Sequence, residues 1–280
     1  MIPSRLITAW SRFAPWLTDE QVEQDLVLSR LIVEIANHPL LGEELVFRGG
    51  TCLHKLALPT PLRYSEDLDY VRATHGPIGP ILDAMREIAE GLGMDTNTDV
   101  GSFPKVRLRA PFESGSGRMR VKIEINTYET SPARPHRRAP YRVESAWWSG
   151  AAEVLTFQPE ELVATKLRAL FQRKKGRDLF DLWVALTVLG LDPARSWCAL
   201  ARTGRTATPP SGPYTGSRNT SPTPPSERTS AHCCETCPRT TTSPPPPHSF
   251  ATRSSTSCDW WSGAGSNRRP SEFQSDARTN

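Results

Sequence analysis

Between Glu20 and Ala36 apolar residues recur at helical spacing: Val22, Leu26, Leu28, Leu31, Ile32 and Ile35 share one broad face, and Asp19, Glu20 and Glu23 favour its N-terminal end. The pattern predicts a core helix. Leu45-Val46-Phe47 is short and apolar enough for a buried strand, ending at the turn Arg48-Gly49-Gly50, after which Thr51 is placed to cap a helix reaching Leu56. The segment Pro59-Thr60-Pro61 breaks that helix, and the chain returns through Arg63-Tyr64-Ser65 into a strand at Leu68 to Val71. A second amphipathic helix is predicted from Pro80 to Gly91. Lys105 to Ala110 and Met119 to Thr127, joined through a Gly/Ser turn at Ser114 to Gly117, predict a hairpin. In its second strand Val121, Ile123 and Ile125 face one way, and Lys122, Glu124 and Asn126 the other. Val154 to Phe157 is a candidate last strand. Pro159-Glu160-Glu161 opens a helix to Arg173, and beyond the basic loop Lys174-Lys175-Gly176 another spans Asp178 to Leu189. The order implies an α+β fold, a small mixed β-sheet with flanking helices.

Composition divides the 280 residues. From Ala201 to Asn280 there is no Leu, Ile, Val or Met, and about half of the prolines fall there among Ser, Thr and Arg. Such a stretch cannot bury enough apolar surface to offset chain entropy, so residues 201–280 are expected to be a disordered tail, reading like a GC-rich gene out of frame. The formal charge of +4 also belongs to that tail, which carries nine Arg against five acids. Residues 1–200 balance, so overall basicity says nothing about the folded part. Two local basic runs stand out there: Arg134, His136, Arg137, Arg138 and Arg142, then Arg168, Arg173, Lys174, Lys175 and Arg177. Six scattered cysteines exclude a disulfide framework, and Cys234 with Cys237, lacking a second pair, does not make a zinc site. No apolar stretch is long enough for a membrane span and no signal peptide is evident, which predicts a cytoplasmic protein.

The chemistry is concentrated in Ser65-Glu66-Asp67-Leu68-Asp69. Asp67 and Asp69, two apart on an extended segment, project to the same face and can jointly hold divalent cations. A third carboxylate from a neighbouring strand completes a two-Mg²⁺ site that clamps the attacking oxygen and the leaving pyrophosphate, and Glu124, flanked by Ile123 and Ile125, suits that position. Gly49, Gly50 and Thr51 fit the other half: glycines admit close approach, and a helix N-terminus offers N–H groups to phosphate.

Phe47-Arg48-Gly49-Gly50-Thr51-Cys52-Leu53-His54-Lys55 followed by Arg63-Tyr64-Ser65-Glu66-Asp67-Leu68-Asp69 resembles the first motif of the AbiEii/AbiGii toxin family, nucleotidyltransferase-like proteins of the polymerase-β superfamily. Lys166 and Arg177-Asp178-Leu179-Phe180-Asp181-Leu182 are similar to its later Lys and Arg-Asp-x-x-Asp-Leu motifs, so the resemblance spans roughly residues 20–190. It implies a nucleotidyltransferase core at 1–157 and a helical region completing the cleft at 158–200, with the family's further helical part truncated. Asp67, Asp69 and Glu124 would bind Mg²⁺ or Mn²⁺. Gly49, Gly50, Thr51 and Ser65 would hold triphosphate oxygens, and Lys166 would neutralise phosphate charge or grip the base. Lys55 and Arg63 are candidates for phosphate contact. Arg177, Asp178 and Asp181 either reach the nucleotide or form ion pairs that lock the helices. The implied reaction transfers NMP from an NTP to an acceptor hydroxyl, with the tRNA 3′ end as leading acceptor and a cognate antitoxin protein as partner. Two other readings stay open: an inactive nucleotide- or antitoxin-binding remnant, and a basic nucleic-acid-binding module working through the Arg-rich runs.

Overall fold

A computed structural model describes residues 2–202 except positions 59, 102, 116 and 130. The chain runs α1 (Ser4–Trp10), α2 (Asp19–Asn37), α3 (Leu41–Glu44), β1 (Leu45–Arg48), α4 (Gly49–Cys52), which passes into a π-helical turn at Leu53–Ala57, and β2 (Asp67–Arg72). It continues with α5 (Gly79–Gly91), β3 (Asp95–Asp99), β4 (Lys105–Pro111), β5 (Arg118–Asn126), β6 (Arg137–Glu144), β7 (Ser149–Thr156), α6 (Pro159–Arg173), α7 (Gly176–Thr187) and α8 (Pro193–Arg202). The strands form one mixed sheet in the order β3-β4-β5-β2-β1-β7-β6, parallel at β5/β2 and β1/β7 and antiparallel elsewhere. This matches the predicted α+β class.

One face of the sheet is dry. Val106, Leu108, Met119, Val121, Ile123 and Ile125 join Leu68 and Tyr70 in a core with Leu26, Ile32 and Ile35 of α2 and Ile81 and Met85 of α5, all buried. The alternation of β5 that buries its odd positions therefore turns Glu124 to the opposite face, where α6 stands. Thr18 caps α2 by accepting the Gln21 N–H, and Asp19 and Glu20 sit in its first turn. Asp25, buried on α2, accepts the indole N–H groups of Trp10 (3.0 Å) and Trp16 (3.1 Å) and the Lys55 ammonium (2.6 Å). It thus ties the N-terminal segment and the π-turn to the core helix.

Several expectations are corrected. Thr51 does not cap the helix, which begins two residues earlier with Arg48 at its N-cap position and no side-chain cap. Strands β3 and β6 and helices α1, α3 and α8 are additional to the predicted elements, and α8 carries the helical region to Arg202. The run from Arg134 to Arg142 is mostly edge strand β6, where Arg138 pairs with Glu43, Arg142 with Glu144, and the preceding Arg134 with Glu160. The expected tail at 201–280, with its four cysteines, lies beyond the described residues apart from 201–202, the last two residues of α8. No described helix is long and apolar enough to cross a membrane.

Candidate active site

Register brings the three acids together. Asp69 on β2 pairs with Glu124 on β5 and, on its other side, with Arg48 on β1; Asp67 pairs with Lys122. Residues directly opposite share a face, so Asp67, Asp69 and Glu124 form one acidic patch at the centre of the sheet. Burial pushes the Asp69 carboxyl above the ordinary range, and the neighbouring Glu124 and Asp67 charges add to this while Arg48 opposes it. The Lys122 ammonium lies between Asp67 Oδ2 (3.2 Å) and Glu124 Oε1 (3.3 Å), and Lys105 approaches Glu124 Oε1 at 3.8 Å. Burial favours the neutral form of Lys122, but the two carboxylates outweigh it and hold the ammonium charged. Among the described residues no three His, Cys, Asp or Glu side chains enclose a metal position. The donor set still suits a hard divalent cation: three carboxylates meet on one face, one of them is destabilised by its neighbours' charge, and a side-chain cation already bridges the other two.

The two glycines admit the protein's own side chains. Gly49 has φ +87°, and a Cβ there would overlap Asp69 Oδ2; a Cβ at Gly50 would overlap the Arg63 guanidinium. Gly49 thus lets α4 start directly against Asp69, and Gly50 lets Arg63 pass over α4 to reach α7. Gly49→Ala should therefore lose at least about 2 kcal/mol, from the positive φ and the displaced Asp69. Chemical denaturation measures this, and a midpoint equal to the parent's would refute the steric account. Thr51 is buried; its hydroxyl donates to the Asp67 carbonyl (2.5 Å) and is hydrogen-bonded to the Ser65 hydroxyl (2.7 Å). The two hydroxyls thus pin the start of β2 to α4.

The cleft over the patch, about 280 Å³, is floored by Asp69 and Glu124 and walled by Arg48, Gly49, Lys166, Arg168 and Arg173, with Phe103 at its rim. Glu129 joins the walls by bridging Arg48 (2.6 Å) and Arg168 (2.8 Å); burial raises its carboxyl, but the two guanidinium groups prevail and hold it below the ordinary range. Beneath Lys166 lies a buried ion cluster. Asp181, fully inaccessible, takes Arg63 in a bidentate pair (2.7 and 2.8 Å), Lys166 at 2.9 Å and His54 Nε2 at 3.0 Å. His54 Nδ1 accepts the Leu62 N–H, so the imidazole proton lies on Nε2 and points at Asp181. Asp178 is also buried, with Oδ1 at 3.3 Å from Arg173 and 3.5 Å from Lys166, while its Oδ2 has no hydrogen-bond partner among the described residues.

The predicted residues therefore separate. Asp67, Asp69, Glu124, Gly49 and Lys166 meet at or beside the cleft. Arg63 and Asp181 form the ion pair that locks the π-turn and its following loop to α7, which favours the locking alternative for Asp181 and commits Arg63 to a protein carboxylate. Lys55 is turned away to Asp25, and Arg177 is exposed without an ion pair among the described residues. The sequence alone assigns no role to Arg48, Lys122, Glu129 or His54. Of these, Lys122 was legible, since alternation puts it on the face of Glu124. Buried Cys52, hydrogen-bonded with Thr156, has its thiol pushed up to about 12 and is no nucleophile.

The fold is shared with MenT4, a nucleotidyltransferase toxin of Mycobacterium tuberculosis, at 20% identity and a TM-score of 0.53 over 71% of this chain and 69% of that one. JHP933 of Helicobacter pylori aligns at 18% identity and a TM-score of 0.46, covering 67% and 74%. No curated protein is similar enough in sequence to count as a relative. The family model described as nucleotidyl transferase AbiEii toxin, type IV TA system, matches residues 30–244, which include the acidic patch, the Gly-Gly turn and the Lys166–Asp181 cluster. With most of its length matched, the chain belongs to the AbiEii nucleotidyltransferase toxin family.

Proposed function

We propose that this chain transfers a nucleoside monophosphate from an NTP to an acceptor hydroxyl, with the 3′ end of tRNA as acceptor, as the cytoplasmic toxin of a pair with a cognate antitoxin. The observation that supports this best is the union of Asp67, Asp69 and Glu124 in one register patch beneath a cationic wall. In this reading the acceptor oxygen forms a bond to the α-phosphorus as the bond to the β-phosphate oxygen breaks, and pyrophosphate leaves. The hydroxyl proton passes to a carboxylate of the patch. Asp67, Asp69 and Glu124 would hold Mg²⁺ or Mn²⁺, which supplies charge neutralisation at the phosphoryl oxygens.

The chain's own groups do the rest. Arg48, Lys166, Arg168 and Arg173 present positive charge to the triphosphate from the cleft walls. Lys166 keeps its ammonium aimed by Asp181, and Gly49 holds the chain close over Asp69 so that no side chain fills the space above it. Residues 1–157 supply the acids and residues 158–200 the helical wall. Thr51 and Ser65, bonded to each other, serve the triphosphate indirectly by fixing Asp67. Lys122 stands in for a cation between Asp67 and Glu124. Its replacement, Lys122→Met, should bind Mn²⁺ tighter by about fivefold in titration calorimetry, reflecting loss of a partly exposed competing charge; unchanged affinity would contradict that role.

Incubating the protein with each α-³²P nucleoside triphosphate and total tRNA, with Mg²⁺ or with EDTA, tests the reading. Metal-dependent label on tRNA from one nucleotide is expected. Label on protein instead would redirect the acceptor assignment, and no label from folded protein would favour the binding-remnant reading.

A further inference from the structure

The sheet carries a basic band that the runs of the linear sequence do not reveal. On β4 and β5 the buried positions Val106, Leu108, Met119, Val121 and Ile123 alternate with Lys105, Arg107, Arg109, Arg118, Arg120 and Lys122. In register, Arg107 faces Lys122 and Arg109 faces Arg120, so like charges stand directly opposite each other, an arrangement that disfavours strand pairing. Neither β4 nor β5 is an edge strand, so lysine and arginine are not serving there to block edge-to-edge pairing. The adjoining β3 offers only partial compensation on this face: Asp95 stands opposite Arg109 in register but pairs with Arg118, and Asp99 stands opposite Lys105 and lies 3.7 Å from Arg107. Arg109 and Arg120 are exposed and have no ion pair among the described residues.

The band also has a direction. Along β5, Arg118, Arg120 and Lys122 lead to Glu124 on one face, a path of about 20 Å at strand spacing. Just past Glu124, at the start of β4 and the end of β5, the rings of Phe103 and Tyr128 pack edge to face with centroids 5.7 Å apart. Both are half-exposed or more, at 50% and 60%, and Phe103 is on the rim of the cleft. Gly49 and Arg48 lie on the β1 side of Asp69, whereas Glu124 and the band lie on the β5 side. A nucleotide held by the first leaves the second to the acceptor.

We propose that the β4–β5 face is the docking track of a single-stranded polynucleotide acceptor, whose phosphates lie on Arg109, Arg120 and their neighbours and whose terminal base stacks on Phe103 and Tyr128, delivering its end hydroxyl at Glu124. This rests on the nucleotidyl-transfer reading of the same cleft. Phosphate chains match a row of cations of which Arg109 and Arg120 have no ion pair among the described residues, and an aromatic pair at the end of the track suits a base rather than an acidic side chain.

Fluorescence anisotropy with a labelled 12-nucleotide RNA tests it on the full chain. Arg109→Glu with Arg120→Glu should weaken binding at least tenfold and flatten the log–log salt slope by about 1.5, with binding of a labelled NTP within twofold of the parent. Phe103→Ala with Tyr128→Ala should weaken binding severalfold at an unaltered salt slope. The neutral pair Arg109→Gln, Arg120→Gln, which removes a repulsion, should melt no lower than the parent and still lose affinity. Unchanged RNA affinity in the reversed and neutral pairs would overturn the track, as would polyglutamate displacing the RNA at equal charge. A parent that binds no nucleotide, yet loses RNA on Arg109 and Arg120 reversal, would overturn the transfer reading and leave the track standing.

Discussion

Asp181→Ala should cost about 3–5 kcal/mol of folding stability, the largest loss expected from any single change. The Asp181 carboxylate is inaccessible to solvent and accepts from Arg63, His54 and Lys166. Removing it leaves a guanidinium and an ammonium facing each other in a largely buried place, which costs more than the intact cluster contributes. Burial raises the Asp181 carboxyl, but the Arg63 and His54 hydrogen bonds and the Lys166 and Arg63 charges overwhelm it and hold the group well below the carboxylate range. A carboxyl lowered on folding contributes stability that is present above its unfolded value, about pH 4, and is lost as pH falls through the folded value. Urea denaturation at pH 7 and pH 3 should thus show the parent losing part of this advantage while Asp181→Ala loses none of it. Equal stability of parent and variant at pH 7 would contradict the cluster's role. Because Lys166 is aimed from this cluster, the variant should also lose transfer activity under conditions where it remains folded.

Asp69→Asn should behave in the opposite way for stability and worse for catalysis. Burial and the charges of Glu124 and Asp67 disfavour ionised Asp69, so in the range between its ordinary value and its raised folded value, stability of the parent falls as pH rises. The amide keeps the shape beneath Gly49 and removes the repelled charge. The variant should be as stable as the parent or more so, by on the order of 1 kcal/mol at pH 7, while transfer falls by at least about a thousandfold. A variant that is both less stable and active would refute the assignment of Asp69 as a strained functional acid.

Much of this site was legible because strand alternation is a strong signal. Ile123-Glu124-Ile125 and Asp67-Leu68-Asp69 each state which residues face the core, and parallel pairing of β2 with β5 then joins the three acids. The elements that escaped lack that signal. Strand β3 reads Asp-Thr-Asn-Thr-Asp without one apolar residue, and edge strand β6 holds Pro140 and buries only Ala139 and Val143 among its arginines. Helix α8 begins at Pro193, in a stretch read only as the end of the helical region. Ion partners were harder to assign, since the reach of a long side chain is decided by packing. Lys55 and Arg63 sit near the phosphate-like turn in sequence, yet Asp25 and Asp181, 30 and 118 residues away, claim them. The β4–β5 band was hidden for a related reason: its cations alternate with core residues and gather only when two strands are paired.

The most direct test of the central claim compares the parent with an Asp67→Ala, Asp69→Ala double variant in transfer of label from an α-³²P nucleoside triphosphate to RNA in the presence of Mg²⁺. The account predicts labelled RNA from the parent and none from the folded double variant; equal labelling by both would contradict it.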